Sequence, residues 1–182
     1  MSIVTATLAM IDVLEKLQVQ YVLVGSLAAV NYGLTRSTTD ADFILVLGPR
    51  KLSEVVRLLG AGYQLVPQAG FELLTGRRLD VIQVLGTPFT IDVFALADDP
   101  FDQEQFSRRR KQPLEGREIV VPTAEDIVIQ KLRWQRAKDL EDVRNVLAVQ
   151  GDLLDWGYIA SWCDRHGTRA VLERLRGEIP PL

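Results

Sequence analysis

Three aspartates in or beside apolar runs are the feature that most restricts the fold of this chain. Asp40 and Asp42 alternate at the start of the apolar run 43–47, and Asp92 lies inside the run 89–94. A carboxylate within an apolar segment is costly to bury unless a cation or hydrogen bonds compensate its charge. Residues two apart in a strand share a face, so Asp40 and Asp42 are expected to project side by side. The pattern therefore predicts two strands whose acidic residues share a divalent metal ion.

A Gly-Ser pair precedes these acids. Residues 21–24 predict a short strand, Gly25 and Ser26 a turn, and residues 27–32 a helix that ends at Gly33. The free N–H groups at a helix start attract phosphate, and glycine lets a phosphate approach closely. The alternative is an ordinary N-cap serine beside a turn glycine.

The remaining patterns complete an α/β (α+β) fold. Apolar spacing predicts helices over 5–17 and 49–60, and two strands within 79–96 joined by a turn at 86–88. We expect a mixed β-sheet flanked by helices over residues 1–121. Residues 122–182 contain four helical segments, so we expect a C-terminal helical bundle packed on that core.

The composition excludes several classes of protein. The 182 residues have no apolar run of about 20 residues and no signal-peptide pattern, so we expect a cytoplasmic protein that does not contact a membrane. The single Cys163 excludes an internal disulfide, and the single His166 excludes a histidine-rich metal site and argues against a Ser-His-Asp triad. We interpret them as a packed thiol and a helix-end residue.

The net charge of −3 argues against a broad nucleic-acid surface. Two basic runs, 77–78 and 108–111, are candidate phosphate patches, although a solvated, positively charged turn is the favoured interpretation. Oxygen ligands without histidine or cysteine suit Mg²⁺ or Mn²⁺, which often bind substrate phosphates as well. The implied substrate is a nucleotide.

Together, the segment 24–26, the Asp40-Ala41-Asp42 triplet and Asp92 resemble the nucleotidyltransferase superfamily that includes polymerase beta. The stretch 32–40 is similar to the small bacterial branch that contains AbiEii-type toxins and minimal nucleotidyltransferases. Ala41 departs from the bulkier apolar residue usual at its position, so the aspartate pair is expected to be held less tightly. Asp80 is an alternative third carboxylate, but the setting of Asp92 is closer to the family pattern.

The resemblance continues into the helical region. Residues 123–132 and 136–143 are similar to a motif in which a lysine and a Lys-Asp pair face the nucleotide. It implies that Lys131 contacts a triphosphate, with Lys138, Asp139 and Asp142 in support. The alternative is surface ion pairing, with Lys138 and Asp142 at i and i+4.

The resemblance implies a metal-dependent transfer of a nucleoside monophosphate from an NTP to a hydroxyl group. Asp40, Asp42 and Asp92 would be catalytic and metal-binding, Gly25 and Ser26 would hold the phosphates, and positive charge would come from Arg36 and Lys131. Implied acceptors are an RNA end such as that of tRNA, a protein, or a small molecule such as an aminoglycoside. A cognate antitoxin is an implied partner.

Two other classes of function stay open. An inactive nucleotide-binding or antitoxin-like module would act through a partner protein, although the presence of all three acids counts against it. A nucleic-acid-binding α/β domain is disfavoured by the acidic balance.

Overall fold

The computed structural model describes residues 1–33, 37–67, 70–71 and 78–179. The chain divides into two compact units. The first, here called the sheet unit, comprises Met1–Ala28 and Arg36–Val121. The second, the helical unit, comprises Ala29–Thr35 and Pro122–Leu182. The predicted packing of residues 122–182 on residues 1–121 stays a prediction.

A mixed six-stranded sheet forms the sheet unit, in the order β1-β2-β6-β5-β3, with β4 paired to β5. Strands β2 and β6 are parallel, and every other pair is antiparallel. The predicted mixed sheet flanked by helices is confirmed. The strands are β1 Gln20–Val24, β2 Asp40–Val46, β3 Tyr63–Leu65, β4 Gly70–Phe71, β5 Arg78–Val84 and β6 Thr90–Ala95.

Burial on both faces explains the apolar run of β2. This strand has β1 on one side and β6 on the other, and Phe43, Ile44 and Leu45 are all buried. A strand covered on both faces favours such an unbroken run. Asp40 and Asp42, on either side of the buried Ala41, are only half-buried, so the acidic start of the strand keeps access to solvent.

Among the described residues, three helices lie in the sheet unit, α1 Ile3–Lys16, α3 Leu52–Leu59 and α4 Pro100–Arg108, and α2 Gly25–Ala29 starts there and ends at the first residue of the helical unit. In α1, Ala6, Met10 and Leu14 recur every fourth residue and form a fully buried stripe. Helix α3 begins three residues later than Pro49, where the sequence predicted its start, because Lys51 is its extended N-cap.

A two-stranded hairpin, β7 Arg110–Leu114 and β8 Arg117–Val121, follows α4. Its two-residue loop has positive φ at both Glu115 and Gly116, as a type I′ turn requires. The basic run 108–111 is therefore the end of α4 and the start of β7. The favoured interpretation of that run as a turn is wrong, since the turn lies at 115–116.

Four helices form most of the helical unit: α5 Ala124–Trp134, α6 Ala137–Gln150, α7 Trp156–His166 and α8 Arg169–Gly177. Short 3₁₀ turns at Val30–Tyr32 and Gly151–Leu153 accompany them. Thr123 caps α5 by accepting the N–H of Asp126, and Asp155 caps α7 by accepting that of Tyr158. The predicted helical region is confirmed. Across the described ranges, every helix is too short or too polar to cross a membrane.

Candidate active site

Strand register brings the three predicted aspartates together. Asp42 and Asp92 are direct partners on the neighbouring parallel strands β2 and β6, and Asp40 is the partner of Thr90 two residues earlier. Paired residues share a face of the sheet, so all four side chains are on one face. Asp40, Asp42 and Asp92 each place a carboxylate oxygen within 4.8 Å of the others. All three residues are half-buried.

The electrostatics of this cluster favour a cation. Burial raises the pKa of Asp92, the negative charge of Asp40 raises it further, and a hydrogen bond from Thr90 opposes them. Three carboxylates at this spacing repel one another, and a divalent ion with oxygen ligands relieves both the repulsion and the burial cost. The donor set of the site therefore fits a hard metal ion.

Gly25 contacts this cluster. It is the first residue of α2, where the structure begins the helix that the sequence placed two residues later. Its φ is +70°, and a Cβ atom at this position would lie 2.0 Å from Oδ2 of Asp42. Glycine is therefore required by the backbone conformation and by the aspartate next to it. Ser26 follows it and is buried.

The rival third carboxylate, Asp80, is on the other face of the sheet. In the antiparallel pairing of β5 with β6, Val81 is the partner of Asp92, and Asp80 is the partner of Val93. Alternation along the strand then turns Asp80 away from Asp92. Its Oδ1 instead lies 3.2 Å from Nη2 of Arg78. The geometry brings Asp92, and not Asp80, to the aspartate pair.

Sequence reasoning missed two residues at this site, Thr38 and Thr90. The hydroxyl of Thr38 hydrogen-bonds to Oδ1 of Asp40, and Thr90 lies two residues before Asp92 on the same face of β6. The signal that points to them is a Thr-x-Asp pattern at the start of each of the two strands, because extended backbone places residues two apart on one face.

The residues predicted from the helical motif form a cluster in the helical unit. Lys131 of α5 is buried, and its Nζ donates to Oδ1 of Asp139 at 3.1 Å and to Oδ2 of Asp142 at 2.7 Å, both in α6. Arg136 Nε donates to Asp139 Oδ2 at 2.6 Å. Burial raises the pKa of Asp139, but the bonds from Arg136 and the charge of Lys131 outweigh it and lower that pKa overall.

The burial of this cluster contradicts the alternative of a surface ion pair between Lys138 and Asp142. Asp142 is 1% exposed, so it is not part of a surface ion pair with the exposed Lys138. The predicted support of Lys131 by Asp139 and Asp142 is present as contacts. Contact of Lys131 with a nucleotide stays a prediction, and Arg36 lies outside the described residues.

Cys163 and His166 lie in α7, far along the chain from the aspartates. Cys163 is fully buried, and this burial raises the pKa of its thiol. His166 is the last residue of the helix and stacks near Trp162, with ring centroids 5.5 Å apart. Both placements fit their interpretation as a packed thiol and a helix-end residue.

The family is shown by sequence comparison. The model of the family described as "Nucleotidyltransferase of unknown function (DUF6036)" matches residues 3–174, and the chain belongs to this family. The predicted membership of the nucleotidyltransferase superfamily is confirmed. No curated protein matches the chain at a significant level.

Solved structures share the fold over nearly the whole chain. ANT(2″)-Ia in complex with adenylyl-2″-tobramycin gives a TM-score of 0.63 at 12% identity, covering 92% of this chain and 98% of its own. A nucleotidyltransferase-like protein from Paracoccidioides brasiliensis gives 0.57 at 14%, covering 97% and 93%. JHP933 from Helicobacter pylori gives 0.53 at 19%, covering 96% and 82%. At these identities the likeness establishes the fold.

Proposed function

We propose that this protein is a metal-dependent nucleotidyltransferase that moves a nucleoside monophosphate from an NTP to a hydroxyl acceptor. The observation that carries the proposal is the meeting of Asp40, Asp42 and Asp92 within 4.8 Å, in a chain of a nucleotidyltransferase family. Membership of the family supports transfer of a nucleotidyl group in general. The metal requirement, the NTP substrate and the hydroxyl acceptor are the parts of the proposal that go beyond family membership.

The three aspartates would hold Mg²⁺ or Mn²⁺. When bound, such an ion supplies charge that stabilises the phosphates and lowers the pKa of a hydroxyl beside it. We assign to Asp92, the partner of Asp42 on the neighbouring strand, the role of orienting or deprotonating the incoming hydroxyl. The acceptor oxygen then bonds to the α-phosphorus, the α–β bridging bond breaks, and pyrophosphate leaves with the bridging oxygen.

Gly25 and Ser26 would bind the β- and γ-phosphates through backbone N–H groups at the start of α2. Arg36 and Lys131 would offset negative charge on the leaving pyrophosphate. An ammonium group has three N–H donors, and the bonds from Lys131 to Asp139 and Asp142 use two. A phosphate contact by Lys131 would therefore use the third donor, and Lys138 would assist from the exposed start of α6.

The acceptor class is proposed as a hydroxyl group on an RNA end such as that of tRNA, on a protein, or on a small molecule. The structure of ANT(2″)-Ia contains an adenylylated aminoglycoside, which supports a small-molecule hydroxyl as one option on this fold. A role in a toxin-antitoxin pair, related to the AbiEii-like branch, and a cytoplasmic location complete the proposal.

The test is a transfer assay with purified protein. Each α-labelled NTP is incubated with Mg²⁺, Mn²⁺ or EDTA, together with tRNA, cell-extract protein or an aminoglycoside. We expect labelled product with one acceptor class, dependent on metal and lost in Asp40→Asn and Asp92→Asn. Asp80→Asn is the matched control, because it removes a carboxylate from the other face of the same sheet. Nucleotide binding without product under every condition would instead support the inactive module.

A further inference from the structure

Both strands of the aspartate site carry the same short pattern, threonine two residues before aspartate. It is Thr38-Thr39-Asp40 where the chain enters β2, and Thr90-Ile91-Asp92 at the start of β6. The hydroxyl of Thr38 hydrogen-bonds to Oδ1 of Asp40 and also lies 3.4 Å from the backbone nitrogen of that residue. Thr90 lies two residues before Asp92, on the same face of β6, and is the partner of Asp40 in the parallel register. The carboxylate of Asp40 therefore has a hydroxyl partner two residues before it, and Asp92 has a hydroxyl at the same spacing on its own face of the sheet.

The two patterns are joined by backbone contacts. Asp40 and Thr90 are partners in the parallel register of β2 and β6, and the N–H of Thr90 donates to the carbonyl of Thr39 at 3.0 Å. The first Thr-x-Asp segment therefore cannot move along the second without loss of ladder bonds. The hydroxyls and the carboxylates are held in one arrangement by the sheet itself.

We propose that Thr38 and Thr90 are positioning residues of the metal site, each fixing the orientation of one carboxylate so that its other oxygen faces the ion. This inference rests on the proposed metal-dependent function. Groups that hydrogen-bond to ligating carboxylates orient them, and their removal commonly weakens metal binding.

This arrangement also bears on which ion the site selects. A carboxylate that uses one oxygen for a hydroxyl donor is biased toward binding an ion through its other oxygen. Mg²⁺ and Mn²⁺ accept single oxygens in a compact octahedron, whereas Ca²⁺ takes six to eight oxygens and readily binds both oxygens of one carboxylate. The two threonines would thus favour the smaller ions over Ca²⁺.

The experiment measures Mn²⁺ binding to the full chain by electron paramagnetic resonance, with Ca²⁺ as competitor, and a thermal melt confirms folding of each variant. Thr38→Val and Thr90→Val remove the hydroxyl and keep the shape of the side chain. We expect roughly 10- to 100-fold weaker Mn²⁺ binding in each, together with a shift of the Mn²⁺/Ca²⁺ affinity ratio toward Ca²⁺. Thr38→Ser and Thr90→Ser should restore both values.

Thr39→Val is the matched control, because it changes the intervening exposed threonine in the same segment. Wild-type affinity and ion ratio in both folded valine variants would overturn the inference. If the valine variants do not fold, the serine variants decide. Serine variants with the wild-type Mn²⁺ affinity and Mn²⁺/Ca²⁺ ratio support the inference, and serine variants that lose Mn²⁺ binding overturn it. Wild-type protein that binds no Mn²⁺ overturns the proposed metal site and this inference together. The wild-type protein could also bind Mn²⁺ in a way that depends on both hydroxyls and yet show no nucleotidyl transfer. That result would support this inference and count against only the proposed transfer.

Discussion

Replacement of Gly25 by alanine should disable the aspartate site through a single added methyl group. The new Cβ would lie 2.0 Å from Oδ2 and 2.9 Å from Cγ of Asp42, whereas Cβ atoms essentially never approach other heavy atoms closer than 3.0 Å. The Asp42 carboxylate or the start of α2 must therefore shift by about 1 Å, a displacement large enough to spoil a metal-ligand geometry.

The same substitution has a backbone cost that can be separated from this effect. Gly25 has a φ of +70°, and an alanine in the left-handed region costs about 1–2 kcal/mol, which corresponds to roughly 2–8 °C in Tm for a chain of this size. Gly86→Ala is the matched control, since its φ is +74° and no heavy atom lies within 4 Å of the added Cβ. Gly86→Ala should therefore have the backbone cost of the left-handed region without a steric clash of the added Cβ atom.

Mn²⁺ titration and thermal melting of both variants form the assay. We expect Gly86→Ala to lose stability and keep the wild-type Mn²⁺ affinity, while Gly25→Ala loses stability and at least about tenfold in Mn²⁺ affinity. Equal Mn²⁺ affinity in wild type, Gly25→Ala and Gly86→Ala would refute the argument that Gly25 makes room for Asp42.

Three further predictions follow from the same contacts. Asp40→Asn should reduce transfer by at least about a thousandfold while circular dichroism stays native, and activity near that of Asp80→Asn would contradict its role. A raised folded-state pKa of Asp92 means that its ionised form weakens the metal-free fold above that pKa, so the contribution of Asp92 to stability in EDTA should become more favourable as pH falls from neutral through that pKa. Asp92→Asn should then raise Tm at pH 7 in EDTA and flatten this dependence; a lower Tm with an unchanged pH profile would refute the sign. Lys131→Met should cost roughly 3–5 kcal/mol in urea unfolding because it removes the buried cation that both Asp139 and Asp142 contact, whereas Lys138→Met, at an exposed position, should stay within about 0.5 kcal/mol.

Local sequence patterns predicted the elements that carry the site. The apolar run 43–47 indicated a buried strand, and the spacing of Asp40 and Asp42 indicated a shared face. The pairing of Asp42 with Asp92 could only be anticipated through the family resemblance, since the parallel register depends on contacts between residues fifty positions apart. Hydrogen bonds such as that of Thr38 were missed because they require side-chain positions.

The segment between β6 and α5 shows where local patterns fail. Strand β7 contains Arg110, Lys111 and Pro113, and so lacks both the β-branched residues and the clean alternation that predict strands. Its turn uses Glu115 before Gly116 and not the Asn or Asp that signals a hairpin. Residues 110–114 have a low preference for strand. They form β7 because they pair with β8, whose Ile119 and Val121 are buried.

The fate of the phosphates during turnover decides between nucleotidyl transfer and any other use of the aspartate site. The chain is incubated with its NTP and acceptor in Mg²⁺, once with label on the α-phosphate and once on the γ-phosphate. Nucleotidyl transfer predicts that the α-label joins the acceptor, the γ-label leaves as pyrophosphate, and Asp92→Asn abolishes both. Transfer of the γ-label to the acceptor, or unchanged α-label transfer in Asp92→Asn, would contradict the proposed reaction.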